Sequence, residues 1–591
     1  MATLAILLYE VTPAKQHLQL ARLLDFFGVP WKIVEASKLE DVEGDAQEHV
    51  VFGLAQTLAT ALKQARRTDR ATTPHAAAYY VFTSDDKDAS ERGLQSLFGN
   101  TSLLLHPASS GDLAISVSGQ LPGVTGPMSG LEFSARLRSE DRVLAGVADE
   151  EPGASTVISA GGAPVFVRLH YGSTPVFVCS SSYMIDLDQA VKRSYYDVKD
   201  HFCSVVPLLM FVKLMFPDGA WQPQELGACL IIDDPLLKPR YGSCDFEILL
   251  DLMRQYGFTT NIAFIPWNWR RTSHADSEFF RNELAHFSIS IHGCDHTGAE
   301  FGETSPMVLS NKARLAQSRM KNHEARTGLH HDPVMVFPQG VFSSACPQVL
   351  KGNGFLAAVN TETAPTDLQG IDTRIRDVWD VAIMRYGCFP IFTRRYAHHG
   401  LENFAFDLLL GKPCLIVAHH DFFKDDCVAL IELIEKLGSL NCHLHWRSLG
   451  EVLRRACRRR LNGAGEEEVE MYGNELLMHN PSNQMVKVHI RKRENELNLI
   501  AEVRSDRKPI MWTAETDHFA CEEEIEPHSE RHLQVVYRER DPLEKMNRSL
   551  RFELSVAGRR ILSEFRDDYL SRNRFLSKTT ANVKNALAKV N

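Results

Sequence analysis

The sequence predicts a multidomain α/β protein with an N-terminal open α/β sheet, a central distorted (β/α) barrel and a C-terminal β-sandwich. A chain of 591 residues is too long for one domain, because domains average roughly 150 residues. Apolar strands alternate with helical segments through most of the chain, whereas short alternating strands dominate its last part. We expect the three domains at residues 1–220, 221–462 and 463–591.

The first block begins with an apolar strand at residues 4–9, a helical pattern at 16–27 and a second strand at 31–34. This order is typical of flavodoxin-like or amidotransferase-like sheets. A hairpin is predicted at 164–179, with its turn at Gly172 and Ser173. The block contains no nucleophile elbow and no GxGxxG motif, so the likeness concerns architecture alone.

The second block alternates six apolar strands with helical segments, as a (β/α) barrel does. The predicted strands lie at residues 228–232, 260–265, 287–291, 333–337, 355–359 and 413–418, and the clearest helices at 244–256 and 306–327. In such barrels the reactive side chains stand at the carboxyl ends of the strands. We therefore look for chemistry at those ends.

The third block follows a Gly- and Glu-rich linker that begins at residue 463. Its short alternating segments predict the strands of a small β-sandwich. These strands are predicted at residues 476–479, 485–491, 497–503, 532–537 and 550–556. The polar, basic stretch at 563–591 is expected to be helical or partly frayed.

Charge and cysteine usage exclude several classes of function. The 65 basic and 75 acidic residues give a net charge of −10, which offers no footprint for nucleic acid or an anionic membrane. A strongly anionic glycan would need a local basic patch. The twelve cysteines contain no CxxC pair and are expected to be reduced and buried. The N-terminal residues predict a strand and not a signal peptide, so we expect a cytoplasmic protein.

No apolar stretch reaches the roughly 20 residues that a membrane-spanning helix needs. The nearest one, at residues 205–216, is interrupted by Lys213.

The first candidate site residues are Asp233 and Asp234, which directly follow the apolar strand at 228–232. Two adjacent buried carboxylates are costly unless a cation or hydrogen bonds compensate them, and a metal ion is a natural compensator. The alternative is a turn or a helix N-cap, because Asp followed by Pro235 commonly starts a turn.

Histidines follow two further strands. His292 and His296 come at the end of the strand at 287–291, and such a pair can converge on one metal ion. His419 and His420 follow the strand at 413–418. Adjacent side chains on a strand point in opposite directions, so we expect only one of these two to face the site.

In this order, the motifs resemble the polysaccharide deacetylase family, carbohydrate esterase family four, over the middle domain only. The family's motifs are Thr-Phe-Asp-Asp-Gly, His-Ser/Thr-x-x-His, Arg-x-Pro-Tyr/Gly and Leu-x-His. Here residues 231–235 read Ile-Ile-Asp-Asp-Pro, 292–296 read His-Gly-Cys-Asp-His, 336–340 read Val-Phe-Pro-Gln-Gly, and 417–420 read Val-Ala-His-His. The resemblance implies the family's deacetylase-type barrel.

The resemblance also implies roles for individual residues. Asp234, His292 and His296 would bind a divalent metal, usually zinc, and Asp233 would be the general base. The general acid would be a histidine of the last motif. Alignment on the His-Asp step favours His420, whereas alignment on the end of the strand favours His419, and both remain open.

The chain departs from the family at three positions. Pro235 replaces the usual Gly, Gly293 replaces a hydroxyl residue, and Val336 replaces the Arg that holds the base. From their spacing, we expect an arginine of a neighbouring strand to substitute for it. The candidates are Arg374, Arg376 and Arg385.

Substrate contacts are predicted at the same mouth of the barrel. Trp267, Asn268 and Trp269 follow the second strand and could stack on and hydrogen-bond a sugar, although the tryptophans could equally cap the barrel. Pro338 and Gln339 of the third motif complete the predicted substrate-binding set. The segment at 394–399 is expected to be a solvated loop rather than a substrate loop.

The function expected from these residues is metal-dependent removal of an N-acetyl group from an amino sugar in a glycan or glycoconjugate. One alternative is hydrolysis of another non-peptide C–N bond on the same barrel. A second alternative is a glycan-binding or assembly protein without catalysis, which the missing Arg of the third motif would permit. The sequence predicts no oligomeric state.

Overall fold

The computed structural model describes residues 3–39, 48–67, 76–108, 111–147, 154–191, 193–367, 373–538 and 549–566. The predicted α/β class with an N-terminal sheet, a central barrel and a C-terminal sandwich is confirmed. Among the described helices, none has both the length and the apolar character needed to cross a membrane. All twelve cysteines are free, and ten of them are buried.

The N-terminal part is built on a mixed nine-stranded sheet with the order β2-β1-β3-β4-β11-β10-β9-β6-β7. Its strands, with the small β5–β8 pair, are β1 Leu4–Tyr9, β2 Trp31–Glu35, β3 His49–Leu54, β4 Ala78–Phe82, β5 Leu104–Pro107, β6 Asp112–Val117, β7 Glu132–Arg136, β8 Arg142–Ala145, β9 Ser155–Ala160, β10 Ala163–Tyr171 and β11 Thr174–Cys179. The predicted hairpin is confirmed, since Tyr171 pairs with Thr174 across the turn.

In the described residues of this part, five helices accompany the sheet: α1 Lys15–Phe26, α2 Ala55–Arg67, α3 Lys87–Phe98, α4 Pro122–Thr125 and α5 Phe202–Met215. The apolar run at 205–216 largely coincides with α5, which is buried against the sheet. Phe211 of α5 packs edge-on against Phe52 of β3. This run is therefore core helix.

The central part is a parallel barrel with the strand order β20-β19-β18-β17-β16-β13-β22-β21, and β23 pairs with the start of β13. These strands, with the small β14–β15 hairpin, are β13 Leu226–Asp233, β14 Arg240–Tyr241, β15 Cys244–Asp245, β16 Thr260–Phe264, β17 Phe287–His292, β18 Val334–Val336, β19 Ala357–Asn360, β20 Ile391–Thr393, β21 Arg395–Tyr396, β22 Cys414–Ala418 and β23 Leu444–Trp446.

One short segment closes the barrel. Its first half, β20, pairs with β19, and its second half, β21, pairs with β22. Arg394 lies between the two halves, and its N–H donates to the carbonyl of Asn360 on β19. The two edges of the sheet are thus joined through consecutive residues of one chain segment.

Outside the undescribed residues 368–372, the barrel region has eight helices: α6 Phe246–Tyr256, α7 His274–Asn282, α8 Pro306–Thr327, α9 Cys346–Gly352, α10 Ile375–Trp379, α11 Leu401–Leu410, α12 Val428–Gly438 and α13 Leu449–Arg455. The predicted helix at 306–327 is confirmed residue for residue. It starts with Pro306 in its first turn and ends before Gly328, whose left-handed φ of 70° stops a helix.

The C-terminal part has two facing sheets, with the orders β12-β24-β25-β27-β31-β30 and β26-β32-β28-β29. The strands are β12 Gln222–Pro223, β24 Cys457–Leu461, β25 Glu467–Met471, β26 Glu475–His479, β27 Val486–Arg493, β28 Ile500–Ser505, β29 Lys508–Ile510, β30 Thr513–Ala514, β31 His518–Ile525 and β32 Glu530–Tyr537. Ile490 of β27 and Leu533 of β32 belong to one buried cluster between the sheets.

The strand predicted at 550–556 is wrong, because this segment begins helix α14, Leu550–Phe565. The alternation of Leu550, Phe552 and Leu554 imitates a strand, yet all three side chains are exposed. The Oγ of Ser549 accepts the N–H of Phe552 and caps the helix. The rest of the stretch predicted as helical or frayed, 567–591, lies outside the described residues.

Candidate metal centre

Asp233 ends strand β13, and Asp234 follows it with a left-handed φ of 79°. Such a conformation is uncommon for a residue with a Cβ and turns the chain sharply at the mouth of the barrel. The two carboxylates consequently reach different partners, which are histidines for Asp234 and an arginine for Asp233.

Asp234, His292 and His296 converge as the motifs predict. Oδ1 of Asp234 lies 3.3 Å from Nε2 of His292 and 3.0 Å from Nε2 of His296. One ligand atom from each of the three residues lies within 4.8 Å of the other two. Two imidazole nitrogens and one carboxylate oxygen are a common donor set of catalytic zinc sites.

The hydrogen bonding of His292 fits a cation at this point. Its Nδ1 is 2.9 Å from the carbonyl of Val336, and because a carbonyl only accepts, Nδ1 carries the proton. In the neutral ring Nε2 then presents a lone pair to the carboxylate of Asp234. Two acceptors facing each other need a proton or a metal ion between them, and a divalent metal would supply the positive charge.

The charges around the centre favour a bound cation as well. Burial lowers the pKa of His292, but the carboxylates of Asp233 and Asp234 outweigh it and raise that pKa above its usual value. For Asp234, burial acts against ionisation, yet the contacts with the two histidines hold its pKa well below the usual value. The centre therefore keeps a negative carboxylate at neutral pH.

Asp233 is held by Arg394 in a buried, bidentate ion pair. Nη1 and Nη2 of Arg394 donate to Oδ1 and Oδ2, each at 2.7 Å, and both residues are 4% exposed. Burial by itself would raise the pKa of Asp233, but the charge and hydrogen bonds of Arg394 together with the nearby His292 outweigh it, so the pKa lies below its usual value.

The arginines expected for this task lie elsewhere. Arg374 and Arg376 pair with Asp188, and Arg385 pairs with Asp377. That expectation is wrong because spacing along the chain does not reveal where the barrel closes.

The solvated loop expected at 394–399 is also wrong at its start. Arg394 is buried, and Arg395 is 7% exposed and forms an ion pair with Asp407. The signal was present in the sequence, since an apolar strand precedes Arg394 and its carboxyl end belongs to the same mouth.

His419 and Tyr396 stand beside Asp233. The Oη of Tyr396 is 3.3 Å from Nε2 of His419, and the charge of His419 contributes to the low pKa of Asp233. The side chain of His420 lies outside the described residues. The structure thus brings His419 to the site, and its role as the acid stays a prediction.

The predicted tryptophan turn, residues 267–269, packs beside the histidine loop, residues 293–300, which follows β17. The backbone N–H of Trp267 donates to the carbonyl of Cys294 at 3.0 Å, and Asn268 is buried. The guanidinium of Arg270 lies 4.5 Å from the ring centroid of Trp269. These contacts place the turn at the mouth, while sugar binding by Trp267, Asn268 and Trp269 stays a prediction.

Pro338 and Gln339 also contact the histidine loop. Pro338 packs so tightly against Gly293 that a Cβ there would come 2.5 Å from its Cγ. Oε1 of Gln339 accepts the N–H of Ala299, and the side chain lines the same cavity as His296. Their contact with substrate stays a prediction.

Glu300 is a functional candidate that the sequence reasoning missed. Its buried carboxylate accepts the backbone N–H groups of Cys294, Asp295 and His296 at 3.1, 2.8 and 3.0 Å. Three such bonds fix the loop that carries His296. A Cβ at Gly293 would lie 2.6 Å from Oε2 of Glu300, which explains the missing side chain at that position.

Among known proteins, no family model and no curated protein matches the chain. Among solved structures the chain is similar to Agd3, a carbohydrate deacetylase, with 8% identity and a TM-score of 0.48, over 90% of this chain and 98% of the other. It is also similar to the chitin deacetylase of the fungal pathogen Colletotrichum lindemuthianum, with 15% identity and a TM-score of 0.25, over 39% and 88%.

A third similar structure is a family 4 carbohydrate esterase from Streptomyces lividans, with 13% identity and a TM-score of 0.22, over 36% of this chain and 88% of the other. At such identities and TM-scores, these structures assign no activity to the chain. The case for function depends on the residues of the site.

Proposed function

We propose that this protein is a metal-dependent hydrolase that removes an N-acetyl group from an amino sugar in a glycan or glycoconjugate. The observation that carries the proposal is the buried Asp233–Arg394 pair beside the convergent Asp234, His292 and His296. The three convergent residues would hold a divalent metal, with zinc as the first candidate. Such a metal would supply Lewis acidity, which activates water at neutral pH and polarises an amide carbonyl.

Asp233 would act as the general base. Its lowered pKa keeps it ionised at neutral pH, and Arg394 fixes both of its oxygens, so that a remaining lone pair accepts the proton of the attacking water. The oxygen of that water forms a bond to the carbonyl carbon of the amide. The C–N bond then breaks, releasing acetate and a free amine.

His419 would donate the proton that the departing amine needs. Its ring stands beside Asp233, and the hydroxyl of Tyr396 lies 3.3 Å from Nε2, which restricts the orientation of the imidazole. The base and the acid thus come from the ends of two paired strands, β13 and β22. Each proton transfer of this kind is worth roughly 10²- to 10⁴-fold in rate.

An N-acetylated sugar is the substrate class implied by the motif resemblance, and the tryptophan turn at the mouth suits sugar stacking. The non-catalytic alternative depended on a base without its arginine. Arg394, which lies between β20 and β21, pairs with Asp233 in place of the missing arginine, and this pairing supports catalysis over the alternative.

The test is release of acetate and amine from a panel of N-acetylated oligosaccharides by protein loaded with Zn²⁺. We expect Asp233→Asn to keep its metal and lose turnover by roughly 10²- to 10⁴-fold. Asp234→Asn should lose the metal itself. His330→Gln is a matched control, since that histidine is exposed at the opposite end of the barrel.

Full turnover by Asp233→Asn, or full metal content in Asp234→Asn, would contradict the proposal. Release of an amine without acetate would support the alternative enzyme, a hydrolase of another non-peptide C–N bond. Glycan binding without any turnover, unchanged in Asp233→Asn, would support the binding protein instead.

A further inference from the structure

Helix α14 lies across the mouth of the barrel, next to the candidate metal centre. Nη2 of Arg560 is 3.3 Å from Nδ1 of His296. Glu564, one turn further, accepts from Nζ of Lys238 at 2.9 Å and also pairs with Arg271. These contacts anchor the helix to the barrel, so its side chains form part of the wall of the site.

A cavity of ≈ 220 Å³ lies between α14 and the metal ligands. Asp234 and His296 line its barrel side, whereas Arg559, Arg560 and Arg566 line its helix side. Pockets that enclose drug-sized ligands measure roughly 300–1,000 Å³. This cavity is smaller, so it suits one substituent of a larger substrate rather than a whole oligosaccharide.

Three arginines line the helix side of the cavity. Of the described residues that line it, Asp234 is the single carboxylate, and the candidate metal would use that carboxylate. Glu564 is engaged by Lys238 and Arg271 and does not line the cavity. Within the described part of the chain, Arg559 has no carboxylate partner.

Guanidinium groups suit anionic ligands in particular. They stay charged at every physiological pH and bind carboxylates, sulfates and phosphates through paired N–H donors. Arg559 also approaches the histidine loop, because its Nη1 is 3.7 Å from the position that a Cβ of Gly298 would occupy. An anion between α14 and this loop would therefore lie within one sugar unit of the metal ligands.

We propose that the substrate carries an anionic group, a carboxylate, sulfate or phosphate ester, that binds to Arg559, Arg560 and Arg566 while the neighbouring N-acetyl amide lies at the metal centre. This inference rests on the proposed function and narrows its substrate to acidic glycans. The net charge of −10 does not oppose it, because three arginines line this cavity at the mouth. Helix α14 supplies the local basic patch that an anionic glycan requires.

The test compares N-acetylglucosamine oligosaccharides that are matched in length. One probe is neutral, one alternates with glucuronic acid, and two carry a sulfate or a phosphate ester on the same units. We expect the zinc-loaded protein to have a higher kcat/KM for a charged probe than for the neutral one. Comparison of the three charged probes shows whether the group is a carboxylate, a sulfate or a phosphate. Arg559→Gln and Arg566→Gln should each lower the charged-to-neutral ratio of kcat/KM about ten-fold, the usual effect of losing a hydrogen bond to a charged group.

Arg551→Gln is the control, since this exposed arginine is on the same helix and does not line the cavity. It should keep the wild-type ratio. Equal use of neutral and charged probes by the wild type would overturn the inference, as would an unchanged ratio in Arg559→Gln and Arg566→Gln.

Binding separates this inference from the proposed function. Calorimetry with the zinc-loaded Asp233→Asn variant measures binding of the probes without turnover. A charged probe should bind at least about ten-fold more tightly than the neutral probe. If binding shows this preference and the wild type hydrolyses none of the probes, the proposed function fails and the anion site stands. If hydrolysis occurs and charge has no effect on binding, the anion site fails alone.

Discussion

Arg394 binds both carboxylate oxygens of Asp233 across the barrel, at 2.7 Å each, although 161 residues separate the two in sequence. Arg394 comes from the segment that closes the barrel, and Asp233 comes from the strand that precedes the candidate metal centre. The same contact that completes the barrel therefore positions the candidate base.

Arg394→Gln should shift the acidic limb of the kcat/KM profile to higher pH. Arg394 holds the pKa of Asp233 below its usual value against the effect of burial, so its loss lets burial raise that pKa. The base is then protonated over a wider acidic range. Removing one partner of a buried pair should also lower the free energy of unfolding by about 3 kcal/mol. The control is Arg376→Gln, at a half-exposed arginine, which should change neither the pH profile nor the free energy of unfolding. If the acidic limb of the profile does not shift in Arg394→Gln, Asp233 is not the base.

His419→Gln should lower kcat by roughly 10²- to 10⁴-fold and abolish the basic limb of the pH profile, because the departing amine then lacks its proton donor. Metal content should stay at the wild-type value, since His419 is not one of the convergent ligands. His420→Gln is the paired variant. If kcat falls in His420→Gln and not in His419→Gln, the general acid is His420.

Glu300→Gln should weaken zinc binding by roughly 10- to 100-fold, the usual effect of losing a group that orients a metal ligand. The carboxylate accepts three backbone N–H groups in the loop of His296, and an amide can turn a donor towards them instead. Competition with a chelator measures the affinity. Glu303→Gln is the matched control, because Glu303 also accepts backbone N–H groups, those of Thr304 and Ser305, but lies away from the candidate metal ligands. Equal affinities in the two variants would refute this role.

Glu494 should stabilise the protein in a pH-dependent manner. Buried between Lys351 and Lys492, it has a pKa lowered to about 2 by their charges against the effect of burial. A carboxyl whose folded pKa lies below its unfolded value of about 4.3 contributes stability that is present above that value and lost as pH falls towards 2.

Glu494→Gln should therefore lower the free energy of unfolding by about 3–5 kcal/mol at pH 7, and the difference from wild type should narrow towards pH 2. Denaturant unfolding at several pH values measures it. Glu522→Gln removes an exposed ion pair with Lys487, which the solvent screens, so it should lower the free energy of unfolding far less than Glu494→Gln does. A constant difference across this pH range would show that ionisation of Glu494 is not the cause.

Much of the barrel and of the ligand set could be predicted because the signals are local. One apolar strand is followed by Asp233 and Asp234, and another is followed by His292. Each of these patterns can be recognised within ten residues of the chain. The carboxyl ends of parallel strands meet at one mouth, so the convergence of the ligands follows from the fold class.

The helix α14 shows where local patterns mislead. Four apolar residues in alternation predicted a strand at 550–556, and the cap at Ser549 was the overlooked signal. The helix lies over the site through Arg560 and Glu564, whose partners are more than 250 residues away. No periodicity encodes such a contact.

The sequence by itself predicted the class of the domains, the alternation of strands and helices in the barrel, and the convergence of Asp234, His292 and His296. Each of these depends on residues that are neighbours in the chain or on the common direction of parallel strands. Only the tertiary structure decided that Arg394 holds Asp233, that Glu300 fixes the histidine loop and that arginines of α14 line the mouth. The physical reason is that these are contacts between side chains brought together by barrel closure and helix packing, which depend on the whole fold.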